Sequence, residues 1–253
     1  MSAFVGMQAS HHDEHTLTAD GPYIIYSFDG SARVITVSPE GNICDTTYSS
    51  FPEDYSFEVV SHDGTHRFPV TLHDVERPAC NYQQPEKIFV ISDPHGDIDC
   101  MVELLKAKGV IDGQYHWIYG RNSLVVIGDV MDRGNDTTQI LWLLYKLEQE
   151  AHEASGGVHF LLGNHEPMVL MNDLRYTKEK YRMLAERLML EYPALLSRSS
   201  VLGYWLSTRN TIETIGRNLF VHAGISRELL DLNLSVPMLN EHISHGLGMN
   251  KQQ

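Results

Sequence analysis

Three short polar motifs stand where predicted strands end, and they constrain the fold of this 253-residue chain more than any other feature. The motifs are DPHG at residues 93–96, GDVMDRG at 128–134 and GNHE at 163–166, and a fourth, VHAG, follows at 221–224. In α/β proteins, sites gather at the carboxyl ends of the strands. We therefore predict that Asp93, Asp129 and Asn164 converge, although 36 and 35 residues separate them along the chain.

The pattern of apolar residues changes near Lys87. Before it, runs rich in Ile, Val, Tyr and Thr predict strands at 23–28, 32–38, 43–48, 55–60 and 67–72, with glycine-containing turns between them. These runs indicate a small antiparallel β module over residues 21–80. A polar segment over 1–20, including the histidines at 11, 12 and 15, is typical of a disordered tail, and residues 77–86 of a linker.

After Lys87, strands alternate with helices. Mostly apolar runs at 88–92, 124–127 and 158–162 predict strands buried on both faces. Helices are predicted from Asp97 or Asp99 to 108, and over 137–151, 166–172 and 177–190, with a hairpin formed by 211–215 and 218–221. The predicted fold class is α/β (α+β), in which a mixed sheet carries helices on its outer faces and residues 87–253 form the domain that contains the motifs.

Charge and composition exclude several classes of protein. The formal net charge of −14 argues against a nucleic-acid-binding protein, which would present a basic face. No apolar run reaches the roughly 18 residues that suggest a membrane span. The first ten residues lack the features of a signal peptide, so a cytoplasmic location is expected, with a periplasmic or secreted one left open if a signal was removed earlier. Three cysteines without CxxC spacing argue against a disulfide framework.

The residue types in the motifs favour divalent metals. Carboxylate, amide and imidazole ligands suit Mn, Fe and Zn, and two such ions about 3.5–4 Å apart can hold a phosphate and activate a bridging water. Taken singly, each motif could be a turn or a helix cap. A cysteine-phosphatase mechanism is disfavoured, because the C-x5-R pattern starting at Cys100 would need arginine where Lys106 stands.

Together the motifs closely resemble those of the phosphoprotein phosphatase family, within the calcineurin-like metallophosphoesterases. The family signatures are GDxHG, GDxxDRG, GNHE and an HGG-type segment; here the first reads SDPHG and the last HAG. The DPHG variant and the β-rich N-terminal part resemble the bacterial branch typified by cold-active protein-tyrosine phosphatase. The resemblance covers roughly residues 87–226 and implies a β-sandwich core flanked by helices.

The resemblance also implies a role for each matching residue. Asp93 and His95 would hold a first metal, Asn164 and His222 a second, and Asp129 would bridge both. His165, oriented by Asp132, would be the general acid, because an imidazole in that role needs an orienting carboxylate. Arg133 would clamp the phosphate, since its planar fork can hold two oxygens.

The expected function is hydrolysis of phosphomonoesters, on a phosphorylated protein or a small phosphomonoester, through two divalent ions and a bridging hydroxide. Cleavage of dinucleoside polyphosphates or phosphodiesters is the alternative within the same chemistry. Another histidine ligand and a second phosphate-binding arginine, which the family has downstream, are expected to be missing, because only 31 residues follow His222. His242 and His245 are the remaining candidate ligands, and a catalytically impaired metal-binding fragment is the alternative from another class.

Overall fold

Five strands form the N-terminal part of the computed structural model, which describes residues 16–247. The strands β1 (Asp20–Tyr26), β2 (Ala32–Val37) and β3 (Ile43–Tyr48) make an antiparallel sheet, and β4 (Ser56–Val60) pairs with β5 (Arg67–Thr71) in a hairpin. The predicted strands are confirmed to within a few residues, because turn glycines such as Gly30 and Gly64 mark their ends with positive φ angles.

Residues 16–20 are packed against the rest of the fold, which the sequence does not predict. Leu17 and Ala19 are 2% and 1% exposed, and the backbone carbonyl of Ala19 accepts hydrogen bonds from Gln139 and Lys180. The tail predicted over 1–20 is therefore wrong for residues 16–20, since burial of these apolar side chains holds them in place. Residues 1–15, including the histidine-rich segment, lie outside the described part of the chain.

A parallel sheet carries the three main motifs. Its strands are β7 (Ile88–Ile91), β8 (Ser123–Ile127) and β9 (Gly157–Leu161), with β8 in the middle. The central strand is buried as predicted, but β7 is not buried on both faces: Val90 is 40% exposed. An edge strand pairs with one neighbour and can leave a face uncovered, which apolar composition alone does not reveal.

A second sheet lies beside it. The hairpin of β10 (Ile212–Ile215) and β11 (Asn218–Val221) is confirmed around Gly216, and β6 (Asn81–Tyr82) pairs in parallel with β10. The segment predicted as a linker therefore contributes a short strand. A parallel bridge between Leu161 and Asn210 links the end of β9 to the start of the hairpin.

Helix α2 (Thr137–Glu153) is the centre of the core. The helix is predicted over 137–151, and the structure buries it on almost every side, as expected of a helix that other elements surround. Trp142 donates to the carbonyl of Pro22 over 3.0 Å, and its ring meets Phe57 edge-on. The N-terminal strands thus share one apolar core with the motif-bearing sheet.

The remaining helices differ in how well the sequence predicts them. Helix α1 (Ile98–Ala107) begins at Asp97, whose side chain accepts from the Cys100 amide, and α3 (His165–Leu170) and α4 (Glu179–Arg187) are shorter than predicted. A 3₁₀ helix (Tyr192–Leu196), α5 (Val201–Thr208), α6 (Arg227–Asp231) and α7 (Val236–Gly246) are missed. Within residues 16–247, no helix is both long and apolar enough to cross a membrane.

The start of α2 depends on a histidine from the β4–β5 hairpin. Asp136, at the N-cap position, accepts hydrogen bonds from the backbone N–H and Nδ1 of His62 over 2.6 and 2.5 Å. This hydrogen bond raises the pKa of His62 above its ordinary value, an effect that burial partly offsets.

We expect His62→Gln to destabilise the protein more at pH 6 than at pH 9. The raised pKa means that the protonated imidazole stabilises the fold below the ordinary histidine pKa of about 6.5, and this contribution is lost as pH rises through the raised value. Hydrogen bonds to charged groups contribute about 1.5–3 kcal/mol. Chemical unfolding at both pH values measures the effect, and an equal loss at both would contradict it.

Candidate active site

The motif loops have an unusual backbone. Five non-glycine residues have φ angles between 42° and 70°, in the left-handed region: Asp93, His95, Asp129, Asp132 and Arg133. Such conformations cost energy for residues with a Cβ and persist where the surrounding structure fixes them, often at functional sites. These loops therefore hold their side chains in positions that a relaxed chain would not adopt.

Two glycines let the loops approach each other. A Cβ on Gly163 would lie 2.2 Å from Oδ1 of Asp129, and one on Gly128 would lie 2.3 Å from the Gly163 nitrogen. Neither distance is possible for real atoms. The glycines that precede Asp129 and Asn164 in the sequence therefore permit the backbone contact on which the site depends.

Asp129 stands at the centre of the site and is 3% exposed. Its Oδ1 accepts the His165 backbone N–H over 2.9 Å, while its Oδ2 lies 3.2 Å from Nε2 of His222 and 3.9 Å from Nε2 of His95. This carboxylate belongs to two groups of candidate ligand atoms, one with His95 and His165 and the other with Asp93 and His222. Within each group, all ligand atoms lie within 4.8 Å of one another. The convergence predicted from the strand ends is thus found in the structure.

The imidazoles of His95 and His222 are oriented by backbone carbonyls. Nδ1 of His95 donates to the Met131 carbonyl over 2.8 Å, and Nδ1 of His222 donates to the Ile127 carbonyl over 2.7 Å. Each ring therefore directs its Nε2 toward Asp129, the orientation that metal-binding histidines adopt. Nε2 of His95 is buried and has no hydrogen-bond partner among the described residues, which fits a metal ion at this position.

Asn164 and Asp93 complete the set. Oδ1 of Asn164 lies 3.2 Å from Nε2 of His222, so an amide oxygen joins the second group. Asp93 lies at the exposed edge, 3.8 Å from Nε2 of His95, and accepts a hydrogen bond from Ser92. All five residues predicted as metal ligands therefore face one small volume.

His165, which lies beside His95 and Asp129, also takes part in a chain of hydrogen bonds. Its Nδ1 lies 2.6 Å from Oδ2 of Asp132, whose other oxygen accepts from the Thr177 hydroxyl over 2.6 Å. Asp132 is 2% exposed and His165 3%, so the pair is shielded from water. The carboxylate fixes a proton on Nδ1, which leaves Nε2 directed into the site. The sequence does not indicate this hydrogen bond from Thr177.

Arg133 lies beside this chain. One guanidinium nitrogen is 3.4 Å from Nε2 of His165, and the guanidinium carbon is 6.0 Å from the ring centre of Tyr176. Tyr176 is half exposed, and its ring centre lies 5.3 Å from that of His165. An arginine fork and an imidazole nitrogen thus face the same opening as the predicted metal ligands.

Glu166 is a structural residue of the site for which sequence reasoning assigns no role. It is fully buried, and its carboxylate accepts the backbone N–H groups of residues 129, 130, 131 and 163 over 2.7–3.1 Å. Burial raises the pKa of Glu166, while these hydrogen bonds act in the opposite direction. The glutamate of the GNHE motif could have indicated this role, because a carboxylate at that position can accept hydrogen bonds from the N–H groups of two loops.

We expect Glu166→Gln to weaken metal binding about 10–100-fold, as loss of a supporting contact typically does. The glutamine side chain would place its own N–H donors against the backbone N–H donors of the loops. At least one buried backbone N–H would then lose its acceptor, at a cost of about 1–3 kcal/mol. Titration of Mn²⁺ by calorimetry and thermal unfolding measure the two effects. The exposed Glu103→Gln serves as control, and equal metal affinity in both variants would contradict the role.

The histidines near the C-terminal end stand apart from these groups. His242 lies on α7 and donates from Nδ1 to the Met238 carbonyl of its own helix. His245 lines a different cavity, with Arg77 and Asn210. Within the described part of the chain, neither belongs to the groups of ligand atoms around Asp129.

Two proteins that are similar in sequence to this chain are named as protein phosphatases. "Shewanella-like protein phosphatase 2" of Arabidopsis thaliana is 39% identical over 99 residues, and "Shewanella-like protein phosphatase 1" of Plasmodium berghei 36% over 94 residues. These matches cover 39% and 37% of this chain but only 25% and 26% of the relatives. The chain thus spans about a quarter of the length of these relatives.

A solved structure shows the same fold. The cold-active protein tyrosine phosphatase structure has a TM-score of 0.83 and 30% identity, and the match covers 94% of this chain and 69% of that one. The mixed α/β metallophosphoesterase fold predicted from the sequence is therefore confirmed, and the fold implies divalent metal ions.

The family model described as "Calcineurin-like phosphoesterase" matches residues 86–246, which is more than half of the chain and includes all four motifs. The chain belongs to the calcineurin-like phosphoesterase family.

Proposed function

We propose that this chain is a metal-dependent phosphatase that hydrolyses phosphomonoesters of phosphorylated proteins. The observation that carries the proposal is the position of Asp129, whose carboxylate lies among the side chains of His95, His222, Asp93 and Asn164 and beside the His165–Asp132 pair. Its Oδ2 lies 3.2 Å from Nε2 of His222 and 3.9 Å from Nε2 of His95, so one carboxylate oxygen faces both proposed metal positions. The names of the relatives, which are protein phosphatases, support the same class of reaction.

The proposed metal ligands divide around Asp129. His95 and Asp93 would hold one ion, and Asn164 and His222 the other, with Mn, Fe or Zn as the ions that this mixture of oxygen and nitrogen ligands suits. When bound, the ions would lower the pKa of a coordinated water and neutralise charge on the phosphate. The carbonyls that hold His95 and His222 keep Nε2 of each ring available for this purpose.

The residues beside the metal ligands would bind the phosphate and supply a proton. Arg133 has a planar fork that can donate to two phosphate oxygens. His165 would protonate the leaving oxygen from Nε2, since Asp132 holds the proton on Nδ1 and stabilises the imidazolium before the transfer. Burial of the pair keeps bulk water from competing for this proton.

We expect removal of divalent metal by a chelator to abolish turnover of a phosphotyrosine peptide, and Mn²⁺ to restore it. Metal ions contribute several kcal/mol to phosphoryl transfer, so a loss of at least about 10³-fold is expected. Para-nitrophenyl phosphate, phosphoserine and phosphotyrosine peptides, and diadenosine tetraphosphate are assayed side by side. Full activity after verified metal removal would contradict the proposal, and a preference for the dinucleotide would favour the polyphosphate alternative.

A further inference from the structure

A cleft of about 470 Å³ opens beside the candidate site, and Arg133 forms part of its wall. Four further basic residues line this feature, which we call the basic cleft: Arg175, Lys178, Lys180 and Arg182. Among the described residues that line it, Glu179 is the acidic one. The chain has only 19 lysines and arginines and a net charge of −14, so this cleft is a local exception to an acidic protein.

Two of these basic residues are held by carboxylates. Arg175 makes a two-pronged pair with Asp173 over 2.8 and 2.9 Å, and the Lys180 ammonium lies 3.8 Å from Asp20. The carboxylates neutralise the positive charge of Arg175 and Lys180. These two residues therefore shape the wall of the cleft and contribute less to binding an anion.

The other three cations are differently placed. Arg133, Lys178 and Arg182 make no ion pair with a carboxylate of residues 16–247, and Lys178 and Arg182 are exposed. Lys178 is the N-cap residue of α4, and Arg182 follows one turn later on the same side of the helix. Among the described residues, the basic cleft therefore offers three cations without a carboxylate partner, and one of them is the candidate phosphate-binding arginine.

The wall of the cleft is fixed to the catalytic loop. The Arg133 backbone N–H donates to the Tyr176 carbonyl over 2.9 Å, and the Thr177 hydroxyl donates to Asp132 over 2.6 Å. The segment that leads into Lys178 is thus attached to the residues that orient His165. A molecule bound in the cleft would be positioned relative to the reacting phosphate.

We propose that the basic cleft binds acidic side chains of a phosphorylated protein substrate, close in sequence to the residue that is dephosphorylated. The inference rests on the proposed phosphatase function and names the class of substrate that the site prefers. Electrostatic complementarity of this kind favours one partner over another more than it raises affinity.

The spacing of the cations fits an extended peptide. Residues four positions apart on a helix rise by roughly 6 Å. Side chains on one face of an extended chain are spaced two residues apart, or about 6.6 Å. Lys178 and Arg182 would therefore meet acidic residues at alternate positions of the substrate, with the phosphate at Arg133.

The test compares two phosphotyrosine peptides that differ only in two alternate residues beside the phosphotyrosine, which are Asp in one and Asn in the other. The parent is expected to show a kcat/KM about tenfold higher for the acidic peptide at low salt, since each exposed ion pair contributes little alone. The preference should fall as salt rises. The double variant Lys178→Glu with Arg182→Glu should lose or reverse it.

A matched control makes the same change in net charge at two positions outside the basic cleft. Lys108 at the end of α1 and Arg217 in the β10–β11 turn are exposed and lie outside the basic cleft. The double variant Lys108→Glu with Arg217→Glu should keep the preference of the parent. If both double variants changed it equally, net charge and not the cleft would be responsible, and the proposal would be overturned.

A binding measurement separates this inference from the proposed function. Fluorescence anisotropy of the labelled acidic peptide, with a non-hydrolysable phosphonate in place of the phosphate, needs no turnover. If the parent binds it at least about fivefold more tightly than the Asn peptide while hydrolysing no phosphomonoester, the cleft is supported and the catalytic proposal fails. Equal binding of both peptides by the parent would overturn the cleft. The proposal would also be overturned if the double variant Lys178→Glu with Arg182→Glu changed only the hydrolysis of diadenosine tetraphosphate, because these cations would then bind a polyphosphate.

Discussion

Asp129→Asn is expected to remove most of the bound metal and to lower turnover of a phosphotyrosine peptide by at least about 10²–10³-fold. The Asp129 carboxylate is shared by both groups of candidate ligand atoms, so neutralising it weakens both metal positions together. Loss of a single preorganised charge contact in an active site already costs about 10²–10³ in rate. The asparagine side chain can keep one oxygen but replaces the other with an N–H donor.

Elemental analysis of the purified variant and a Mn²⁺ titration measure the effect on metal content. Oδ1 of Asp129 also accepts the His165 backbone N–H, so circular dichroism must show that the fold is intact. The exposed Asp54→Asn is the matched control, because it makes the same change in charge away from the site. Unchanged metal content in Asp129→Asn would show that this carboxylate is not shared by two ions.

His165→Ala is expected to lower kcat/KM for a phosphotyrosine peptide by about 10²–10⁴-fold, the usual contribution of a general acid. The effect on an aryl phosphate with a strongly electron-withdrawing leaving group should be within about tenfold. That leaving group departs without a proton, so it does not need the acid. The difference between the two substrates, more than the size of either loss, identifies the role of His165.

Asp132→Asn should reproduce part of this pattern, because it removes the carboxylate that holds the proton on Nδ1 of His165. The exposed His152→Ala serves as control for loss of an imidazole. If His165→Ala slowed both substrates equally, its contact with Asp132 and its backbone hydrogen bond to Asp129 would be structural, and the acid would have to be sought elsewhere.

Local signals in the sequence predicted much of the fold. Alternating or apolar runs ending in glycine turns predicted the hairpins and the strands β7, β8 and β9. The start of α1 was predicted at Asp97 or Asp99, and Asp97 is the N-cap. These features depend on residues a few positions apart, so a linear pattern contains them. The missed helices α5, α6 and α7 begin with serine caps. Helices α5 and α6, with eight and five residues, are too short to show a clear helical period, whereas α7, with eleven residues, was missed although Ser235 caps it.

The site was predicted from the sequence for a related reason. Strand ends of one sheet meet at one edge, so the sequence predicts that residues 36 and 35 positions apart lie together. The residue types at those positions indicated metals and phosphate. Their proposed roles came from resemblance to a family and stay a prediction until the variants are measured.

Tertiary structure alone decided how the motif residues are supported and what lies beside them. The four N–H groups around Glu166, the Thr177 hydroxyl on Asp132 and the basic cleft next to Arg133 all join segments that are distant in sequence. The uncovered face of β7 and the all-round burial of α2 have the same origin. A sequence states which side chains a strand or helix carries, but burial and hydrogen-bond partners depend on which other elements pack against it, and that depends on the whole chain.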